Sequence, residues 1–323
     1  MNDLMEYVRK IENALEEKIK DAEIVSESNN IVIKFVLNCK VYYAKFYKNK
    51  GMHVDNEVML YKCIPEEGKK YLKILNYSNF DLAEEEKFAI FEEVKGKTLA
   101  EIAEQEGISD NLAEKVANSM WDYFTIISKV KTKKYGNLSG SLEGQYDDFL
   151  KYLYEYQFPT TETLFLNPKT RKISSIPYLL LEKNAELLDE RYSCLTPIDS
   201  NFKNIMIDEN EDVKIIDPGA VISAPLSMGM GEFVAHSYGT KVYDKFIERI
   251  QASNEEIKRL SIYGILSSTN IMAFLVRNNI GDINLSRPFG NNNTFFELIG
   301  GHLKIINELG NLKEKKEEND LEK

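Results

Sequence analysis

The 323-residue sequence predicts an α+β chain of two lobes. An antiparallel, β-rich N-lobe spans 1–95, a mainly helical C-lobe spans 96–311, and a charged, flexible tail follows over 312–323. Three observations carry this reading. Strand-like runs crowd the first part of the chain, at Ile31–Leu37, Val41–Tyr47, Tyr71–Tyr77 and Lys87–Val94. From Thr98 onward apolar residues recur mainly at helical spacing. A hydrophobic share of 43%, with 11% aromatic residues, suffices for a substantial core, and no internal repeat or long linker interrupts it.

Taken in order, Asp3–Lys20 places Leu4, Val8, Ile11, Leu15 and Ile19 three or four residues apart, which predicts an amphipathic helix lying on the first sheet. Asn38-Cys39-Lys40 separates the first two strand-like runs as a hairpin turn. Helical spacing then covers 111–130, 145–157, 176–189, 238–251, 254–276 and 294–309. The last residues, LKEKKEENDLEK, are too charged and too poor in apolar side chains to be expected to pack.

A net charge of −11 argues against nucleic acid or an anionic membrane as the main partner and leaves room for a cationic small molecule. Cys39, Cys63 and Cys194 are odd in number, widely spaced and form no CxxC pair. They point to buried thiols in a reducing cytoplasm rather than a disulfide framework or a zinc site. The N-terminal segment lacks a long apolar core, and no run of about 18 apolar residues occurs, so neither a signal sequence nor a membrane span is expected.

The stretch that carries chemistry is Leu195–Gly219, LTPIDSNFKNIMIDENEDVKIIDPG. Asp199 and Asn204 form a D-x4-N pair, and Asp217 follows the apolar runs Ile205–Ile207 and Val213–Ile216, which flank a turn-like DENED. This reads as a loop, a tight hairpin and a carboxylate at the hairpin's exit. Phosphoryl transfer from a nucleotide needs one carboxylate to orient or deprotonate the acceptor hydroxyl. It also needs an amide oxygen and a second carboxylate to hold magnesium on the phosphates. A plain alternative is that these residues cap turns, as Asp and Asn do in many loops.

In order and spacing, Asp199, Asn204 and Asp217 resemble the catalytic loop and metal loop of the protein-kinase-like superfamily. The sequence from about Ile24 to Tyr263 looks most like its small-molecule branch, the aminoglycoside phosphotransferase and choline kinase family. The letters depart in places: Pro197-Ile198 stands where that family has His-Gly, Pro218 replaces the Phe of the metal loop, and Ala224 replaces a later Asp while Pro225 is retained. The lost His removes a contact that steadies the catalytic loop.

The resemblance implies a bilobal kinase-like fold with Mg2+ and ATP or GTP between the lobes. Asp199 then receives the acceptor, and Asn204 and Asp217 hold the metal. Lys203 either offsets charge at the γ-phosphate or is a solvated loop lysine. Lys45 lies in YAKFY, where a lysine inside a buried-looking strand is costly unless its ammonium meets anions. The resemblance supplies them as nucleotide phosphates and Glu57 of the next helix; Lys48 is the rival lysine. Ser26 and Ser28 would line the phosphates from the first hairpin loop unless that loop is an ordinary turn. Glu92 to Val94 would meet the base edge at the interlobe link.

The acceptor is expected to be a hydroxyl of a small molecule, with a cationic aminoglycoside-like compound favoured. Asp147, Asp148, Glu155, Glu182, Glu186, Asp189, Glu190 and Glu232 crowd the expected substrate lobe. Choline, sugar or amino-acid acceptors, and a nucleotide-binding pseudokinase, remain the alternatives. A protein kinase is disfavoured because Asp217–Pro225 leaves little room for an activation loop. Glu232 reads as a water-exposed helix-face glutamate, and His236 as a packed or surface histidine.

Overall fold

The computed structural model of the chain describes residues 4–27, 30–47, 53–79, 87–138, 140–281 and 293–321, of which 53–55 and 311–321 are described by backbone alone. Ser28 and Lys48, both named above, lie outside the described residues.

Helix α1 (Leu4–Leu15) leads into strands β1 (Lys20–Ser26), β2 (Asn30–Leu37) and β3 (Lys40–Tyr47). Helices α2 (His53–Cys63) and α3 (Glu66–Lys69) precede β4 (Leu75–Ser78) and β5 (Phe88–Glu92). The five strands make one antiparallel sheet in the order β1-β2-β3-β5-β4. Strand alternation divides β3 between two environments. Ala44 and Phe46 face α1, whose Tyr7 and Ile11 are buried with Ile31, Ile33, Phe35 and Phe88. Tyr47 packs on the other side with Ala89 and Phe91, and Tyr43 and Lys45 open onto the interlobe cleft.

Two expectations need correction here. The first helix stops at Leu15, and Lys20–Ser26 is an edge strand whose alternating exposure lets its charged side chains reach water. Cys39 is exposed rather than buried, because it and Asn38 adopt positive φ (63° and 51°) in the two-residue turn between β2 and β3. That conformation suits the twist of a hairpin and points the turn outward.

Beyond Glu92 the chain crosses to the second lobe through β6 (Gly96–Thr98), α4 (Leu99–Gln105) and α5 (Asp110–Ile127). Thr98 and Glu101 form a capping box that starts α4 at the link. Gly96 has φ of 154°, and a Cβ there would sit 2.0 Å from the Ile207 carbonyl oxygen, so only glycine lets the link dock against the catalytic hairpin. Next come β7 (Gly136–Asn137), α6 (Phe149–Leu166), α7 (Ile176–Lys183) and α8 (Ala185–Leu188). Helix α6 runs through Pro159 instead of ending before it, because Thr160 and Leu164 continue its buried face.

Four short strands follow: β8 (Cys194–Pro197), β9 (Ile205–Asp208), β10 (Val213–Ile215) and β11 (Val221–Ala224). They form two small antiparallel sheets, β10-β9-β6 and β7-β11-β8. Helices α9 (Leu226–Ser237), α10 (Lys241–Ile250), α11 (Asn254–Arg277) and α12 (Phe295–Leu321) complete the lobe. The backbone stays helical through the lysine- and glutamate-rich stretch expected to be a tail. Helix α11 is long and apolar enough to span a membrane, yet 61% of its most apolar window is buried within the fold, packed by α6, α9 and α12.

His302 of α12 is buried against the Tyr238 ring, with centroids 4.8 Å apart, and burial pushes its pKa down to about 4. It is therefore neutral when folded and takes up a proton more readily when unfolded. Its contribution is complete above the unfolded value near 6.5 and is lost as pH falls below it, about 2 kcal/mol by pH 5. Denaturant titrations of the wild type and His302→Gln should show the variant losing less stability between pH 7.5 and pH 5. Parallel losses would remove His302 from the account.

Candidate active site

The site is built where β3, α2 and the β9–β10 hairpin meet. Alternation aims Lys45 into the cleft, and α2 sets Glu57 opposite it, with Nζ 2.9 Å from Glu57 Oε2. The same ammonium lies 2.7 Å from Asp217 Oδ1, just beyond β10. Tyr47 OH donates to Glu57 Oε2 at 2.6 Å, and Lys73 Nζ stands 3.5 Å from Glu57 Oε1. Burial works against charge on both main partners. The two carboxylates nevertheless raise the pKa of Lys45, while Lys45 and then Lys73 push Glu57 down to about 2. The pair is thus ionised.

The loop from Asp199 to Asn204 is stitched from within. Asn204 Nδ2 donates to Asp199 Oδ2 at 2.9 Å and to the Asp199 carbonyl at 3.0 Å, and Asn201 Nδ2 donates to Asp199 Oδ1 at 2.6 Å. Asp208 Oδ1 accepts from the Asn210 and Asp212 amides, which closes the DENED turn around Glu211 at φ 63°. The Asn204 oxygen receives no hydrogen bond among the described residues, and Asp217 is half exposed at the cleft. An amide oxygen and a carboxylate are the hard donors that suit magnesium bridging to phosphates. Among the described residues no cluster of three or more His, Cys, Asp or Glu could hold a metal, so the nucleotide would have to supply the remaining ligands.

Two cavities flank this loop. The first, about 430 Å3, lies between the lobes and is lined by Lys45, Asn204 and Asp217 at one end and by Val32, Phe91 and Met206 among its apolar walls. Ser26, Glu92 and Val94 line it as well. The Glu92 and Glu93 amides are already used, on the Ile74 and Val41 carbonyls. Val94 N–H donates to no acceptor among the described residues and is a main-chain donor left at the link. The second cavity, about 470 Å3, opens on the other side of Asp199, between α6, α9 and α11. Asn204 lines the first cavity and Asp199 the second, so one hydrogen-bonded pair separates them.

Burial, and then the charge of Asp217, push Asp199 up to about 7. Lys203 is exposed and lines neither cavity. Glu232 contradicts the exposed reading: it is 3% exposed and lines the second cavity. Its helix, α9, is buried nearly all round, with Gly229 set where a Cβ would meet the Pro197 carbonyl oxygen at 2.4 Å. One turn on, His236 is fully buried, its Nε2 3.5 Å from Glu232 Oε1 and its ring engaging the Ser200 main chain. Helix α9 thus sets a buried histidine beside the main chain that follows Asp199.

Of the eight carboxylates expected to crowd the substrate lobe, only Glu232 lines the second cavity. Asp148 caps α6, Glu155 accepts from Tyr146 OH, Asp189 pairs with Arg191, and Glu190 accepts from Ser227 and Tyr263. Sequence reasoning also missed Lys73, whose ammonium lies 3.6 Å from the Phe91 ring centroid at the back of the first cavity. Its setting in YLKIL, a lysine inside an apolar run, is the same signal that found Lys45.

Breaking one partner of a buried ion pair leaves an uncompensated charge. Lys45→Met should therefore lower unfolding free energy by about 3 kcal/mol, and adding Glu57→Gln should restore part of that loss. Additive effects in urea titrations of the two singles and the double would contradict the coupling.

No family model and no curated protein matches the sequence. Solved structures do. The crystal structure of aminoglycoside phosphotransferase APH(4)-Ia superposes with a TM-score of 0.69 at 12% identity, over 95% of this chain and 98% of that one. The GDP complex of wild-type aminoglycoside 2'-phosphotransferase-IIIa gives 0.63 at 13% identity, and the GDP and kanamycin complex of APH(2")-IIIa gives 0.64 at 12%, each over 95% of this chain and 98% of that one. Identity this low carries the architecture and nothing finer: the chain has the bilobal, protein-kinase-like fold of the aminoglycoside phosphotransferases.

Proposed function

We propose that the protein is a phosphotransferase that moves the γ-phosphoryl group of ATP or GTP to a hydroxyl of a small molecule. The observation that carries this reading is the meeting of two cavities at the Asp199–Asn204 hydrogen bond, with Lys45 and Asp217 on the nucleotide side. Support also comes from the structural neighbours, which were solved with GDP, ADP or AMP-PNP and with hygromycin B or kanamycin.

On this reading the base lies between Val32, Phe91 and Met206 and meets the Val94 amide, while Lys45 and Ser26 hold phosphate oxygens. Glu57 fixes Lys45, and Lys73 backs Glu57. Asn204 and Asp217 would hold magnesium, which neutralises charge on the phosphates and helps align the γ-group. Asp199 accepts the acceptor's hydroxyl proton as that oxygen bonds to the γ-phosphorus and the bond to the β,γ-bridging oxygen breaks, releasing the nucleoside diphosphate. A carboxylate poised near neutral pH suits proton transfer of this kind. Lys203, exposed at the loop, is assigned no catalytic role.

Two variants separate the roles. Asp199→Asn should keep Mg-nucleotide affinity and lose turnover by roughly 10²–10⁴-fold. Asp217→Ala should lose both Mg-dependent binding and turnover. Calorimetry and a γ-phosphate transfer assay on the same preparations check this, and full turnover by Asp199→Asn would rule the mechanism out.

A further inference from the structure

We propose that the acceptor is a neutral, ring-shaped polyhydroxylated compound of the saccharide class, and that Glu232 is the carboxyl that selects it by hydrogen-bonding one of its hydroxyls. This rests on the phosphotransferase reading and deepens it, because the second cavity has a composition of its own. Its volume of about 470 Å3 lies in the range of small-ligand sites.

Charge comes first. Within the described lining the only ionisable groups besides tyrosines are Asp199, Glu232 and Arg277. Asp199 is committed to the reacting hydroxyl. Burial, and then the neighbouring Asp199 charge, push the Glu232 pKa well above the ordinary carboxyl value, and Arg277 contributes a positive charge. The lining is thus close to neutral overall. A polyamine brought into it would lose its hydration and meet one carboxyl committed to the reacting hydroxyl, one whose burial disfavours its charged form, and the Arg277 cation, a penalty for each ammonium group.

The rest of the lining suits a sugar. Asn137, Asn201 and Asn270 offer amides, and Ser267 a hydroxyl. These groups both donate and accept, as vicinal hydroxyls require. Tyr156, Tyr263 and Phe274 provide aromatic surface for the apolar C–H faces of a ring. The polar groups are held in place before any ligand arrives. Asn270 Nδ2 donates to Tyr156 OH at 2.5 Å and its Oδ1 accepts from Thr160 at 2.8 Å, while Ser267 Oγ donates to Glu232 Oε1 at 3.0 Å. On the same helix, His236 Nε2 lies 3.5 Å from Glu232 Oε1 and packs against the carboxyl from within the fold.

The step balances as for any alcohol acceptor. One ring hydroxyl loses its proton to Asp199 and gains the phosphoryl group, and the nucleoside diphosphate departs with the electron pair of the broken bond.

The full-length protein with Mg-ATP or Mg-GTP, labelled at the γ-phosphate, is assayed against equal concentrations of neutral pentoses, hexoses, disaccharides and cyclic polyols. Polycationic aminoglycosides and choline run beside them. Label should pass to a neutral saccharide or polyol at a kcat/KM at least tenfold above that for any cation. With that acceptor, Glu232→Ala should raise KM tenfold or more, while Glu232→Gln, which keeps a donor and an acceptor, should raise it by no more than a few fold. Preferred transfer to a cation overturns the assignment, as does a Glu232→Gln loss as large as that of Glu232→Ala. Mg-nucleotide binding without transfer to any neutral compound overturns it too, while leaving the nucleotide site standing. Failure to bind Mg-nucleotide at all overturns the underlying phosphotransferase reading instead.

Discussion

A single ammonium held between two carboxylates from different parts of the chain is the constraint on which the rest of the site depends. Lys45 reaches Glu57 on α2 and Asp217 beyond β10, so one side chain sets the spacing of the N-lobe sheet, its helix and the metal loop. Charges this deep are costly to dehydrate, and only close, multiple contacts offset that cost. Glu57 has them in Lys45, Lys73 and Tyr47. Asp217 differs, since 48% of its side chain is exposed, and it is the partner an incoming phosphate or metal can engage without disturbing the buried pair.

At the second cavity the organising element is α9. Its glycine against Pro197 brings the helix to β8, and that approach sets His236 beside the Ser200 main chain and Glu232 in the wall of the second cavity. The same helix puts little exposed charge on the cavity wall, because its one carboxyl is buried and burial disfavours its ionised form.

Legibility in the sequence followed the range of the forces involved. Lys45, Glu57, Asp199, Asn204 and Asp217 were readable because each sits in a short pattern whose strand, turn or helix is fixed locally, and all five converge in the structure. Strand β1 was not, since KDAEIVS lies at a sheet edge and buries too little apolar surface to show a strong alternation. Glu232 and His236 were unreadable for a different reason. Nothing in GMGEFVAHS says that α9 is enclosed on every side, which is decided by its packing on α11 and β8. The acidic residues misled because Asp148, Glu155 and Asp189 cap a helix or pair with residues close in sequence, a use that composition cannot distinguish from a charged wall.

The central claim is that Lys45, Asn204 and Asp217 form a nucleotide site completed by magnesium. The most direct measurement is the thermal unfolding midpoint of the wild-type protein with ATP and with GTP, each with magnesium and with a chelator. Binding to the folded state alone stabilises it by RT ln(1 + c/Kd), with c the free ligand concentration, and so raises that midpoint. The account predicts a clear rise with at least one nucleotide, present with magnesium and largely lost with the chelator. No shift with either nucleotide, or a shift indifferent to magnesium, would contradict it.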